Sequence, residues 1–97
     1  MSSYLSATYL SKENLSQVKF EVNFLKRTQV EQNSIIRRLF QAMIMGNHYR
    51  SQVKLFFSTT EGYRYTESAV WSKTDNCIML KGGSYIPIQS ICSVEFP

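Results

Sequence analysis

The fold is decided by residues 28–46, which read TQVEQNSIIRRLFQAMIMG. Thr28 and Glu31 have the spacing of a capping box, in which a hydroxyl and a carboxylate each bond a backbone N–H at a helix start. Apolar residues then recur at the three- and four-residue intervals of one helix face. The pattern predicts an amphipathic helix over residues 29–45, closed by a left-handed residue at Gly46 or Asn47. Its apolar positions are Ile35, Ile36, Leu39, Phe40, Met43 and Ile44.

The sequence after this helix has the pattern of short strands separated by turns. Gly82 and Gly83 favour a tight turn with positive φ, and Pro87 lacks a ladder donor, which places its strand at an edge, bulge or bend. Because no helical pattern intervenes, we expect an antiparallel five-stranded meander or a small SH3-like or Sm-like barrel. The predicted strands are residues 53–58, 63–72, 77–81, 85–88 and 91–96.

The residues before the helix allow two interpretations. Apolar and polar side chains alternate over residues 18–25, which is the period of a half-buried strand. Leu15, Val18, Val22 and Leu25 also fit the seam of a helix. We favour an N-terminal strand.

The length and composition fit one α+β domain. The chain has 97 residues, of which 43% are hydrophobic, enough to bury a workable core without metals or disulfides. Residues 1–16 show no sustained period and predict an arm that docks on the body or frays. The domain itself is expected over residues 17–97.

Features of exported and membrane proteins are missing from the sequence. The longest apolar stretch, residues 39–45, is shorter than the roughly 20 residues of a spanning helix. The N-terminus lacks the basic region and hydrophobic run of a secretion signal. We expect Cys77 and Cys92 to be buried reduced thiols, as in cytosolic proteins. These features predict a cytoplasmic location and no membrane partner.

No constellation of residues points to catalysis. His48 is the only histidine, which excludes metal sites built on several imidazoles. Neither cysteine has a basic neighbour or helix N-terminus to lower its pKa, and the carboxylates of the second half are scattered. No helix follows Gly82, so the glycine pair is not a phosphate loop. The sequence therefore predicts no enzyme, no cofactor, no metal and no small-molecule substrate.

Positive charge is concentrated in the first half of the chain. Residues 1–50 hold seven Lys and Arg against three Glu, whereas the second half is neutral and the net charge is +4. One hypothesis is a nucleic-acid surface, in which a basic ridge contacts phosphates and rings alternating along one strand face stack on bases. The alternative is a solvated helix face with the rings packed in the interior or in a subunit contact. The candidate residues are Lys26, Arg27, Arg37, Arg38, Arg50, Tyr63, Tyr65 and Trp71, with Ala69 on the same predicted face.

The order of a basic amphipathic helix and five short strands resembles the Sm-like family, which includes the bacterial RNA chaperone Hfq. The similarity covers roughly residues 33–96. The segments that carry it are Val53-Lys-Leu55, Gly62, Thr74-Asp75, Ile78-Met-Leu80-Lys81 and residues 88–94. It implies a small barrel that assembles through strand edges and binds RNA. Where Hfq has Tyr-Lys-His near uridine bases, this chain reads Tyr85-Ile-Pro-Ile88.

Residues 80–96 are also similar to the end of small uncharacterised bacterial proteins with the text Leu-Lys-Gly-Gly-x-x-Ile-Pro-Ile-x-x-Ile-x-x-Val-Glu-Phe. This second resemblance implies a fold and no activity.

Two functional hypotheses follow. The first is a non-catalytic binding or assembly module that self-associates, or binds a protein partner, through open sheet edges, because a small curled sheet leaves edges that need cover. The second is binding of RNA or single-stranded DNA by the basic helix face, with stacking on the strand aromatics.

Overall fold

One long helix and short strands make up the computed structural model, which describes residues 7–21 and 28–97. The elements in chain order are β1 (Thr8–Tyr9), the 3₁₀ helix η1 (Lys12–Gln17), α1 (Gln29–Tyr49), β2 (Val53–Thr59), β3 (Gly62–Ser68), β4 (Val70–Lys73), β5 (Cys77–Leu80), β6 (Tyr85–Pro87), the 3₁₀ helix η2 (Ile88–Ser90) and β7 (Ile91–Glu95).

The strands form two open sheets. A mixed sheet has the order β1-β3-β2-β7, with β1 parallel to β3, and an antiparallel sheet has the order β4-β5-β6. The predicted α+β class is confirmed, but the strands of residues 7–21 and 28–97 close no barrel. The Cα radius of gyration of 12.2 Å is that of a compact chain of this length. No helix in the described ranges is long and apolar enough to cross a bilayer.

The core lies between the two sheets and α1. Val53, Leu55 and Phe57 alternate along β2 and point inward, as the two-residue period of a strand requires. Ile35, Leu39, Ala42 and Gly46 form the buried face of α1. Each fully buried aliphatic side chain contributes about 1.5–3 kcal/mol. Further core residues are Leu15, Val70, Ile78, Leu80, Ile86, Ile88, Ile91 and Val94.

The predicted helix start is confirmed. The Glu31 backbone N–H donates to Thr28 Oγ1 at 3.1 Å, and the Thr28 N–H donates to Glu31 Oε1 at 2.9 Å. Both halves of the capping box are therefore formed.

The predicted helix end at Met45 was wrong. The helix continues to Tyr49, and Arg50 adopts the left-handed conformation with φ 56°. Gly46 lies inside the helix. Because glycine has no side chain, the backbone of α1 can pack directly on the backbone of β4 at this position. A Cβ at Gly46 would lie 2.8 Å from the carbonyl oxygen of Val70.

The strand predicted over residues 63–72 is divided at Ala69, so the second half has six strands and not five. The Ala69 carbonyl oxygen accepts bonds from the Lys81 N–H at 3.0 Å and the Ser68 hydroxyl at 2.9 Å. Since the chain passes from one sheet to the other at this point, the prediction that Tyr63, Tyr65, Ala69 and Trp71 share one face was wrong.

The N-terminal strand differs from the prediction. Residues 22–25 lie outside the described residues, and within residues 18–21 only Phe20 forms a β-bridge, with Thr59. The strand that the structure shows is β1, inside the predicted arm. It runs parallel to β3, with Thr8 opposite Arg64 and Tyr9 opposite Tyr65, and the Leu10 N–H donates to the Tyr65 carbonyl at 2.8 Å.

Two local predictions are confirmed. Gly82 and Gly83 have φ of 98° and 97° in the turn before β6, and the strand of Pro87 lies at a sheet edge. Among the described residues Cys77 and Cys92 form no disulfide, and each is half-buried where full burial was expected.

We predict that Gly46→Ala destabilises the protein. A Gly→Ala change at an exposed helix position stabilises by about 1 kcal/mol, but overpacking costs about 1–3 kcal/mol, and here the obstacle is the Val70 backbone. The free energy of unfolding, measured by urea denaturation, should fall. Gln41→Ala on the exposed face of α1 is the control and should change it by at most about 0.5 kcal/mol. A more stable Gly46→Ala protein would contradict the close approach.

We predict that Thr66→Val stabilises the protein. Thr66 Oγ1 is buried and has no hydrogen-bond partner among the described residues, so its replacement removes a desolvated hydroxyl and should raise the free energy of unfolding by about 1 kcal/mol. Thr59→Val is the matched control, because Thr59 Oγ1 donates to the Gly62 carbonyl and accepts from the Glu61 N–H. Thr59→Val should destabilise. Equal effects of the two changes would refute this difference.

Candidate functional site

An open groove of about 330 Å³ lies where the C-terminal end of α1 meets β4. Five of its lining residues carry polar or aromatic side chains: Asn47, Arg50, Gln52, Trp71 and Lys81. The floor is completed by Gly46 and Ala69. The groove therefore collects residues from the helix end, the segment before β2, the bend between the sheets and the end of β5.

One close backbone approach and two hydrogen bonds connect the helix end, β4 with the bend before it, and the end of β5. The missing Cβ of Gly46 seats α1 on Val70, and Asn47 Nδ2 donates to the Trp71 carbonyl oxygen at 3.4 Å. The bond from the Lys81 N–H to Ala69 fixes the end of β5 beside the bend. The groove is thus built on rigid elements, while its side chains lie at the surface.

Trp71 lies at the surface because successive residues of a strand point to opposite faces of the sheet. Val70 is opposite Leu80 and Ser72 is opposite Met79, so Trp71 is the extra residue of a bulge. Val70 points into the core, and Trp71, on the opposite face of β4, is 44% exposed.

The charge of the groove is positive. Arg50 and Lys81 supply two cations, and none of its described lining residues is acidic. Residues 32–60, which include the last four turns of α1 and all of β2, contain no Asp or Glu. An aromatic face beside two cations and two amides suits a planar ring that carries an adjacent anion.

The structure brings Arg50 and Trp71 together and places the other predicted arginines elsewhere. Arg37 is exposed, whereas the Arg38 guanidinium donates to the Val94 carbonyl on β7 at 3.3 Å. Consecutive helical residues point about 100° apart, and Arg38 and Arg50 are separated by about 18 Å along the axis. Lys26 and Arg27 lie outside the described residues.

Tyr65 lies on a different surface, the outer face of the mixed sheet. Its ring contacts the rings of Tyr9 at 5.5 Å and Phe56 at 5.3 Å, and Lys54 Nζ lies 5.6 Å from its centroid. The strand register places Lys54 opposite Glu67 on one side and Glu95 on the other. Tyr63, on the same strand, is half-buried. Two carboxylates make this face less suited to a polyanion than the groove.

Sequence reasoning missed Lys81, Asn47 and Gln52 as site residues. Lys81 lines the groove because β5 pairs with β4. The identity of a single lysine does not show which strands pair, so its position could not be predicted from the sequence. The absence of acidic residues from 32 to 60 is the one signal in the sequence that indicated this surface.

Self-association was predicted at the sheet edges, but side chains of α1 and a proline occupy or remove some of the backbone hydrogen-bonding groups there. Arg38 bonds a carbonyl of β7, Asn47 bonds a carbonyl of β4, and Pro87 deprives β6 of a donor. The edge strand β1 has two residues. Protected edges of this kind reduce pairing with another chain.

Within residues 7–21 and 28–97, no three His, Cys, Asp or Glu side chains are grouped so that they could hold a metal ion. Comparison with protein-family models, with curated proteins and with solved structures finds no match for this chain.

We predict that Trp71 is accessible to solvent. It is the only tryptophan, so its emission reports on the groove alone. Acrylamide should quench most of this emission in the native protein, because the indole is 44% exposed. Denatured protein provides the fully accessible reference. Blue-shifted emission that resists acrylamide would show that the ring is buried.

Proposed function

We propose that the protein is a non-catalytic binding module that holds a base and the adjacent phosphate of single-stranded RNA or DNA in the groove. The observation that supports this function best is the exposed Trp71 ring in the same groove as the Arg50 and Lys81 cations, a groove whose described lining has no acidic residue.

The energies of the two contacts fit such a ligand. Stacking of a base on an aromatic side chain contributes about 1–3 kcal/mol and tolerates any sequence, because every base has a π face. Cations on phosphates add an electrostatic term that weakens with salt. Arg50 offers a planar fork of donors to phosphate oxygens, and Lys81 offers a mobile point charge.

A single strand fits the groove better than a duplex. The faces of duplex bases are covered by their neighbours, whereas the bases of a single strand can turn outward and stack on a protein ring. Asn47 Oδ1 and the Gln52 amide have the donor and acceptor groups that base edges require.

Assembly through strand edges, as in Sm-like proteins, stays a prediction. In its support, the bend at Ala69 joins β3 of the mixed sheet directly to β4 of the other sheet, as in a strongly bent barrel strand. The contacts on β4, β6 and β7 favour the groove as the primary binding surface.

The test is a titration with labelled oligouridylate and oligothymidylate of about 12 nucleotides at low ionic strength, within the site sizes of single-strand binders. We expect quenching of Trp71 emission and an affinity that falls with salt. Arg50→Gln/Lys81→Gln should weaken binding by roughly tenfold and reduce the salt slope by about 1.4, or about 0.7 for each phosphate.

Arg64→Gln is the matched control. It removes one positive charge from the other sheet, where Arg64 pairs with Glu61 at 3.9 Å, and should leave affinity nearly unchanged. Failure of both oligonucleotides to bind at low salt, or equal losses in Arg64→Gln and the groove variants, would refute nucleic-acid binding at this site.

A further inference from the structure

Part of the apolar surface of α1 is exposed. The helical period predicted Phe40 and Ile44 in the core, but Phe40 is 52% exposed and Ile44 is 40% exposed. The buried face of α1 is formed instead by Ile35, Leu39 and Ala42. The sheet residues contact this narrow face, and the Phe40 and Ile44 side chains lie at the surface.

Phe40 lies on the side of α1 that leads into the groove. Phe40 and Asn47 are seven residues apart, which is nearly two full turns, so they share one side at a distance of about 10 Å along the axis. Asn47 bonds Trp71 and lines the groove. The two exposed rings therefore lie along one continuous surface, with Met43 half-buried between them.

The Phe40 ring has a positively charged neighbour, Arg37. Arg37 is one turn before Phe40, and residues three apart on a helix are neighbours. Arg37 is exposed, and no acidic residue occurs from 32 to 60. The surface thus repeats the composition of the groove: Phe40 with Arg37 at one end, and Trp71 with Arg50 and Lys81 at the other.

We propose that the bound single strand continues from the groove along α1, with a second base on Phe40 and its phosphate on Arg37. This inference rests on the proposed function of the groove. The axial distance of about 10 Å from Phe40 to Asn47, at the edge of the groove, corresponds to about three steps at the 3.4 Å rise of stacked nucleotides, so a strand longer than a dinucleotide is needed to extend from the groove to Phe40.

The charge decides between this ligand and another copy of the chain. A second copy would bring the same acid-free, cationic helix surface to the interface, and like charges repel. A polyanion gains from that charge by releasing counterions. Phe40 also has the flat face on which a base can stack. A protein partner would be expected to contact the exposed Ile44 side chain as much as Phe40.

The test is a length series of oligouridylates, from the dinucleotide to about eight nucleotides, read by quenching of Trp71. Wild-type affinity should rise steeply once the strand reaches both rings. Phe40→Ala should weaken the octanucleotide by about fivefold or more while leaving the dinucleotide unchanged, because one stacked base is lost. Arg37→Gln should reduce the salt slope of the octanucleotide by about 0.7 and leave that of the dinucleotide unchanged.

The same measurements with oligothymidylates of equal lengths compare the affinity for DNA with that for RNA.

Val30→Ala is the matched control, because Val30 is 78% exposed on the same helix and about 15 Å before Phe40. It should leave every affinity unchanged. If Arg50→Gln/Lys81→Gln weakens binding but Phe40→Ala leaves the octanucleotide as tight as wild type, the extension along α1 is refuted and the groove retained. If no oligonucleotide binds, the proposed function fails. If Phe40→Ala and Ile44→Ala alter only self-association, measured by light scattering, the surface binds a second copy and the inference is overturned.

Discussion

The helix α1 approaches β4 so closely at Gly46 that a methyl group there would overlap the carbonyl oxygen of Val70. This approach brings the helix end, the bend at Ala69 and the end of β5 to one place. The groove exists because these three backbone segments meet, and its floor is Gly46 and Ala69 for the same reason. Small residues at the contact leave space above them, which larger side chains would fill.

The same contact explains how the surface of α1 is divided. Gly46 and Ala42 turn one narrow face of the helix towards the sheets, so Leu39 is buried and its neighbour Phe40 is exposed. The polar side of the helix then carries arginines without compensating acids. All three arginines are exposed, but the Arg38 guanidinium donates to a carbonyl of β7, whereas Arg37 and Arg50 lie on other parts of the surface. Two arginines adjacent in sequence thus act differently, because they point about 100° apart.

Local chemistry made several features predictable. The capping box at Thr28 and Glu31, the glycine turn before β6 and the edge position of Pro87 each depend on a few neighbouring residues, and all are present. The end of the helix was not predictable in this way. Glycine is a residue type that commonly ends helices, but the Gly46 backbone stays helical because it packs on β4, which is distant in sequence. Arg50 accepts the left-handed conformation in its place.

The sequence by itself determined the class of the fold, a helix followed by strands, because periodicity and capping are local properties of the chain. It also determined that the region from 32 to 60 is free of acids. Only the tertiary structure decided which rings are exposed and which cations accompany them. The burial of Val70 left Trp71 on the outer face of β4, the bend separated it from Tyr65, and strand pairing placed Lys81 in the same groove as Arg50. Those positions depend on contacts between segments far apart in sequence, and no local pattern of residue types encodes them.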